Sequence, residues 1–203
     1  MTIMDAKLNF VTEGAIRLFL KNSISGVTVK DIAKECGVGE ATVYRYFSGK
    51  NELLITCAVK LQTRVEKTFL SGGEDVPTGY AALDLFYRSF LKIFNESPEL
   101  YRFLSEFDAH VISENAAGLE EYADNMDRFK EAFTEAYRRG VRDKSVRRIK
   151  DIETFYYSTT HALLSLCKKL AQGEILRQDK LTSGAKEVAA LIEIILLSLK
   201  NPV

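Results

Sequence analysis

Apolar residues recur along this chain at three- and four-residue spacing, interrupted by a few breakers. Leu83, Phe86, Tyr87, Phe90, Leu91 and Phe94 form one such stripe. Ile152, Phe155, Tyr156, Thr159, Leu163, Leu166 and Leu170 form another. These are helical periods, and no segment alternates convincingly as a strand would. The expected fold class is all-α, with about nine helices near 5–21, 28–36, 40–47, from 50 onward, 78–95, 98–112, 119–140, 150–172 and 184–199. Thr28 and Asp31 are spaced as a capping box. Gly37 supplies the left-handed residue that stops the second helix. Gly49 is a tolerable N-cap, and Ser97-Pro98 is a start signal because proline at the first helical position loses no hydrogen bond. No internal repeat is found.

Residues 28–47, TVKDIAKECGVGEATVYRYF, place a capped helix, a glycine-containing turn and a second short helix in succession. A turn of that length crosses two helices steeply. Val29, Ile32, Ala33, Val38, Val43 and Phe47 can hold the pair together, which leaves Glu40, Ala41, Thr42, Tyr44, Arg45 and Tyr46 largely outward. A short exposed helix bearing Thr, Tyr and Arg suits the major groove of DNA. Ala41 permits close approach, and its methyl or that of Thr42 can meet a thymine methyl. Arg45 can pair with a guanine edge. Tyr44, Tyr46 and Lys50 can hold phosphates, with Thr28, Lys30 and Gly39 beside them, while Glu40 would repel phosphate and must avoid the backbone or accept from a cytosine amino group. The chain divides at about residue 48, into a helix-turn-helix segment over 1–48 and a larger helical segment over 49–203.

Residues 10–54 resemble the N-terminal domain of TetR-family transcriptional regulators. The shared pattern is Leu18-Phe19 ending the first helix, Thr28 opening the second, Ile32-Ala33, Gly37-Val38, Thr42-Val43-Tyr44, Tyr46-Phe47, and Lys50 before Glu52-Leu53. Gly39, Glu40 and Gly49 depart from it, standing where the family often has serine, lysine, and serine or asparagine. The resemblance implies a homodimer on a palindromic operator and a C-terminal domain that binds a small-molecule effector. It implies a repressor released by that effector. The last helix is apolar around nearly its whole circumference and must be buried on all sides. On family grounds the interface is expected from Phe155, Leu163, Leu166, Leu191, Ile192, Ile195, Leu196 and Leu199; the alternative is a central core helix. The middle helices are rich in aromatics. Phe86, Phe90, Phe107, Phe129 and Phe133 are candidate cavity walls, with His110, Tyr156, Thr160 and His161 as polar anchors.

The 203 residues carry 28 basic and 28 acidic side chains, so the chain is neutral and a histone-like coating protein is excluded. Residues 1–60 hold eight basic and six acidic residues, a sign that suits DNA. Three cysteines, odd in number and far apart, argue against a disulfide framework and for a reducing cytoplasm. MTIMDAKLNF has no signal-peptide pattern. Val188–Leu199 contains Glu193 and falls short of the ~20 residues that a bilayer requires, so no membrane association is expected. Glu106 and His110 share a helical face, but a metal site needs more ligands, and no metal or cofactor is expected. No phosphate loop, nucleophile elbow or catalytic constellation is present, and an enzyme is not expected. The competing readings are a constitutive DNA-binding dimer and a helical enzyme or lipid carrier.

Overall fold

Side-chain caps mark where helices begin in this chain. Thr28, Thr78, Asp151 and Ser183 each accept a hydrogen bond from the backbone N–H three residues on, which satisfies one of the donors a helix start leaves open. The computed structural model describes residues 3–175 and 177–201. Among them are nine α-helices: α1 (Ile3–Lys21), α2 (Val29–Glu35), α3 (Glu40–Tyr46), α4 (Lys50–Leu70), α5 (Gly79–Glu96), α6 (Pro98–Glu114), α7 (Glu120–Arg142), α8 (Ile152–Ala171) and α9 (Gly184–Leu199). A short 3-10 turn covers Arg177–Lys180, and Val146 and Lys200 form an isolated antiparallel bridge. The all-helical class is as the periodicity predicts. No helix among the described residues is long and apolar enough to cross a membrane.

The chain forms two compact units, one of Met1–Thr63 with Arg102–Asn125 and one of Arg64–Tyr101 with Met126–Val203. In the first unit α1 packs on α2, and α2 on α3. Its interior holds Val11, Ala15, Ile16 and Phe19 of α1, Ile32 and Ala33 of α2, Val43 of α3, and Leu53 and Leu54 of α4. A methyl group at Gly14 would lie 2.2 Å from Cys36 Sγ, so only glycine lets α1 approach the end of α2 this closely.

In the second unit α5, α8 and α9 pack on one another. A methyl at Gly79, where α5 begins, would lie 2.0 Å from the backbone nitrogen of Gly140 in α7, so the two helices cross backbone to backbone. Phe69, at the end of α4, meets Phe86, Phe90 and Phe129 edge-on, with ring centroids 5.3, 4.9 and 5.1 Å away. Such edge-to-face pairs satisfy the quadrupoles of the rings as well as burying them.

The structure corrects the expectation for α9, which is apolar around most of its circumference but buried on one face. Val188, Ile192, Ile195, Leu196 and Leu199 recur at helical spacing and point into the unit, whereas Ile194 is 64% exposed and Leu197 70%. Ile192, Ile195, Leu196 and Leu199, and Leu163 of α8, therefore lie inside their own unit rather than on an outward face. Phe155, Leu166 and Leu191 are half-buried. Only Lys186 and Glu193 mark the outward face, among apolar residues that make the rest of that face look like the inward one.

Candidate nucleic-acid interface

The helix-turn-helix is built from local hydrogen bonds. Thr28 Oγ1 accepts from the Asp31 N–H at 3.2 Å, and the Asp31 carboxylate accepts from the Thr28 N–H at 2.9 Å and the Thr28 hydroxyl at 2.6 Å. These donors hold the Asp31 carboxyl below its usual pKa, the hydroxyl contributing most. At the other end of α2, Gly37 has φ +62°. The Val38 N–H reaches the Ala33 carbonyl at 2.9 Å and the Gly37 N–H reaches that of Lys34 at 3.1 Å. This is a Schellman stop, and it aims the chain into α3.

The inner face of α3 is Val43, 1% exposed, followed by Phe47, 3% exposed. Glu40, Ala41, Tyr44 and Arg45 are exposed, and Thr42 and Tyr46 are half-buried. Thr28, Lys30 and Gly39 are also exposed. Glu40, Ala41, Tyr44 and Arg45 are thus exposed together on one short helix of the first unit. Gly39 caps α3 without a side chain, and its carbonyl accepts from the Thr42 N–H at 2.9 Å. Gly49 likewise has no capping side chain, but Glu52 compensates. Its carboxylate accepts from the Ser48 N–H at 2.6 Å and the Ser48 hydroxyl at 2.7 Å, and these donors hold its pKa below the usual range.

Lys50 differs from a free phosphate ligand. Its Nζ donates to the Ile24 carbonyl at 2.5 Å, and desolvation lowers its pKa. Sequence reasoning missed the other grip on the same residue: Glu106 Oε2 accepts from the Ile24 N–H at 2.5 Å. The spacing of Glu106 and His110 was visible, but their partners lie far away in the chain. His110 Nε2 is 2.8 Å from Asn51 Oδ1.

The candidate effector residues do not form one group. Phe86, Phe90, Phe129, Phe133 and Tyr156 come together in the second unit, joined by Phe69 and Tyr87. Burial pushes the pKa of Tyr156 up to about 12. Thr160 donates to the Tyr156 carbonyl at 2.7 Å. His161 is exposed, its ring 5.7 Å from that of Tyr157. Phe107 and His110 belong instead to the first unit, where Phe107 packs between Phe103 and Tyr122 with centroids 5.9 and 5.1 Å away. Phe69 was missed because it closes a long helix that gives no sign of where its end arrives.

Residues 11–57 match the family model described as bacterial regulatory proteins, tetR family. A segment of 53 residues is 34% identical to YerO, an uncharacterized HTH-type transcriptional regulator of Bacillus subtilis (strain 168); it covers 26% of this chain and 18% of that protein. The fold is similar to that of a TetR family transcription regulator from Marinobacter aquaeolei VT8, with a TM-score of 0.65 at 20% identity over 98% of this chain and 97% of the other. It is also similar to the transcriptional regulator FadR of Bacillus subtilis, solved in complex with stearoyl-CoA, with a TM-score of 0.68 at 13% identity over 93% and 97% of the two chains.

Proposed function

We propose that this chain is a TetR-family transcriptional regulator, a ligand-responsive repressor that binds a palindromic DNA operator as a homodimer. The observation that carries the reading is the α3 surface: Ala41, Tyr44 and Arg45 exposed on a short helix fixed from behind by Val43 and Phe47. In this reading residues 1–48 read DNA and 49–203 bind the effector and dimerise. Arg45 takes a guanine edge, Ala41 or Thr42 a thymine methyl, and Tyr44 and Tyr46 phosphates, with Thr28, Lys30, Gly39 and Glu40 at the border of the contact. Family and fold point to a regulator rather than an enzyme, and its place of work is the cytoplasm.

One small reading head gives little specificity, and two on a two-fold axis read half-sites about one or more helical turns apart. The outward face of α9, with Ile194 and Leu197, is the surface that supports dimerisation. The effector is a small, largely apolar molecule received by the aromatic second unit; the likeness to FadR, solved with stearoyl-CoA, supports that class. The effector must bind more tightly to a state whose reading heads no longer match the half-sites, or it shifts nothing. The mutual contacts of the Phe69 cluster favour a second reading, a constitutive DNA-binding dimer whose interior is simply filled.

Selection of duplexes from a random pool, followed by mobility shift, tests the central reading. Enrichment of a two-fold symmetric sequence is expected, and no enrichment refutes it. Mapping bound fragments across the genome then names neighbouring genes and through them an effector class. Release of the enriched duplex by such a molecule separates the repressor from the constitutive dimer.

A further inference from the structure

The turn between α1 and α2 is held from both sides by charged groups. Ile24 lies in that turn with its side chain 2% exposed. Its N–H donates to Glu106 of α6 at 2.5 Å, and its carbonyl accepts from Nζ of Lys50, the first residue of α4, at 2.5 Å. One helical turn beyond Glu106, His110 meets Asn51, the second residue of α4. One turn before Glu106, the Phe103 ring lies 6.4 Å from that of Phe19 in α1. Phe103, Glu106 and His110 share one face of α6, so that face grips α1, the α1–α2 turn and the start of α4. We propose that Glu106 is a positioning residue for DNA reading: with Lys50 it tethers Ile24 and so fixes the pose of α2 and α3. The proposal rests on reading α3 as the DNA-contacting helix.

The chain of cause is short. Thr28 opens α2 only four residues after Ile24, and α3 is fixed to α2 by the Schellman stop at Gly37. The direction in which α3 faces therefore depends on where Ile24 is held. A backbone N–H with its partner removed must find another acceptor or suffer a desolvation penalty. A carboxylate is the stronger acceptor, because hydrogen bonds to ionised groups are roughly twice as strong as neutral ones. Lys50 then contributes to DNA affinity partly through Ile24 rather than wholly through phosphate.

The test uses the full chain and its selected duplex, with binding read by fluorescence anisotropy across a salt series. Glu106→Ala is expected to weaken binding on the order of tenfold, the scale of one lost charge-assisted hydrogen bond. The salt slope and the order of preference among operator variants should stay unchanged, since no phosphate or base contact is removed. Glu106→Gln keeps an acceptor oxygen and is expected to remain within about threefold of the parent. Glu106→Ala combined with Lys50→Ala should lose less than the product of the single losses, because both act through Ile24. Amide hydrogen exchange supplies a readout free of DNA: the Ile24 N–H should exchange slowly in the parent and in Glu106→Gln, and fast in Glu106→Ala. Parent-like affinity in Glu106→Ala, multiplicative losses in the double variant, or equal Ile24 protection throughout would each overturn the proposal. A parent chain that selects no sequence sinks the DNA reading and the positioning role with it. A parent that selects DNA while Glu106→Ala binds equally well sinks the positioning role alone.

Discussion

Arg45 is exposed, and no described side chain engages it, so its guanidinium is available to a base edge without first leaving a protein partner. Arg45→Ala is expected to change which operator variants are preferred, costing ~1–3 kcal/mol at one base pair. Tyr44, 54% exposed beside it, is proposed to meet phosphate. Tyr44→Ala should weaken all sequences by a similar factor, because phosphate contacts carry no base information. Competition binding against a panel of single-base operator variants distinguishes the two outcomes. Lys50 shows the limit of reading roles from type and position. Its place at the head of α4 suggests a phosphate ligand, and the structure adds a carbonyl partner 26 residues away. No local pattern encodes that distance.

At the level of the element, α2 depends on its capping box, and the dependence varies with pH. Thr28→Ala removes the side-chain acceptor and should cost about 1 kcal/mol at neutral pH. Asp31 has a folded-state pKa below its ordinary 3.8. Its contribution is therefore present above that ordinary value and is lost as pH falls through the lower folded value. Asp31→Asn should be less stable than the parent near pH 7, and the gap should narrow in acid below about pH 4. Thermal melting at a series of pH values measures both. The α5–α7 crossing predicts a different asymmetry. Gly79→Ala drives a methyl into backbone, and Gly140→Ala drives one into the Val146 side chain 2.3 Å away. Overpacking costs ~1–3 kcal/mol or more, and Gly79→Ala should melt at the lower temperature because backbone yields less than a side chain. Helix ends were legible because Thr28, Gly37 and Ser97-Pro98 are local devices acting within a few residues. The inward face of α9 was harder to read, because Lys186 and Glu193 share the outward face with Ile194 and Leu197, which are as apolar as Ile192 and Ile195.

For the whole molecule, the exposed apolar residues of α9 argue for a second copy. Ile194→Asp with Leu197→Asp should give a monomer in analytical ultracentrifugation with an unchanged circular dichroism spectrum, since both side chains face outward. Operator binding should then fall by at least about tenfold, as the second half-site loses its tethered reader. A dimer that persists would place the interface elsewhere. The helix-turn-helix was legible because its residues are contiguous. The place of Phe69 in the aromatic interior and the Ile24 tether were not, because each depends on segments brought together only by folding. The joining of α5 to α9 has a consequence for biosynthesis. Arg88 of α5 bonds Glu193 of α9 across 105 residues of chain. On the ribosome, α5 is finished long before α9 exists. The side of α5 that meets α9 therefore stays uncovered until α9 clears the exit tunnel, an interval in which association with other chains competes with folding.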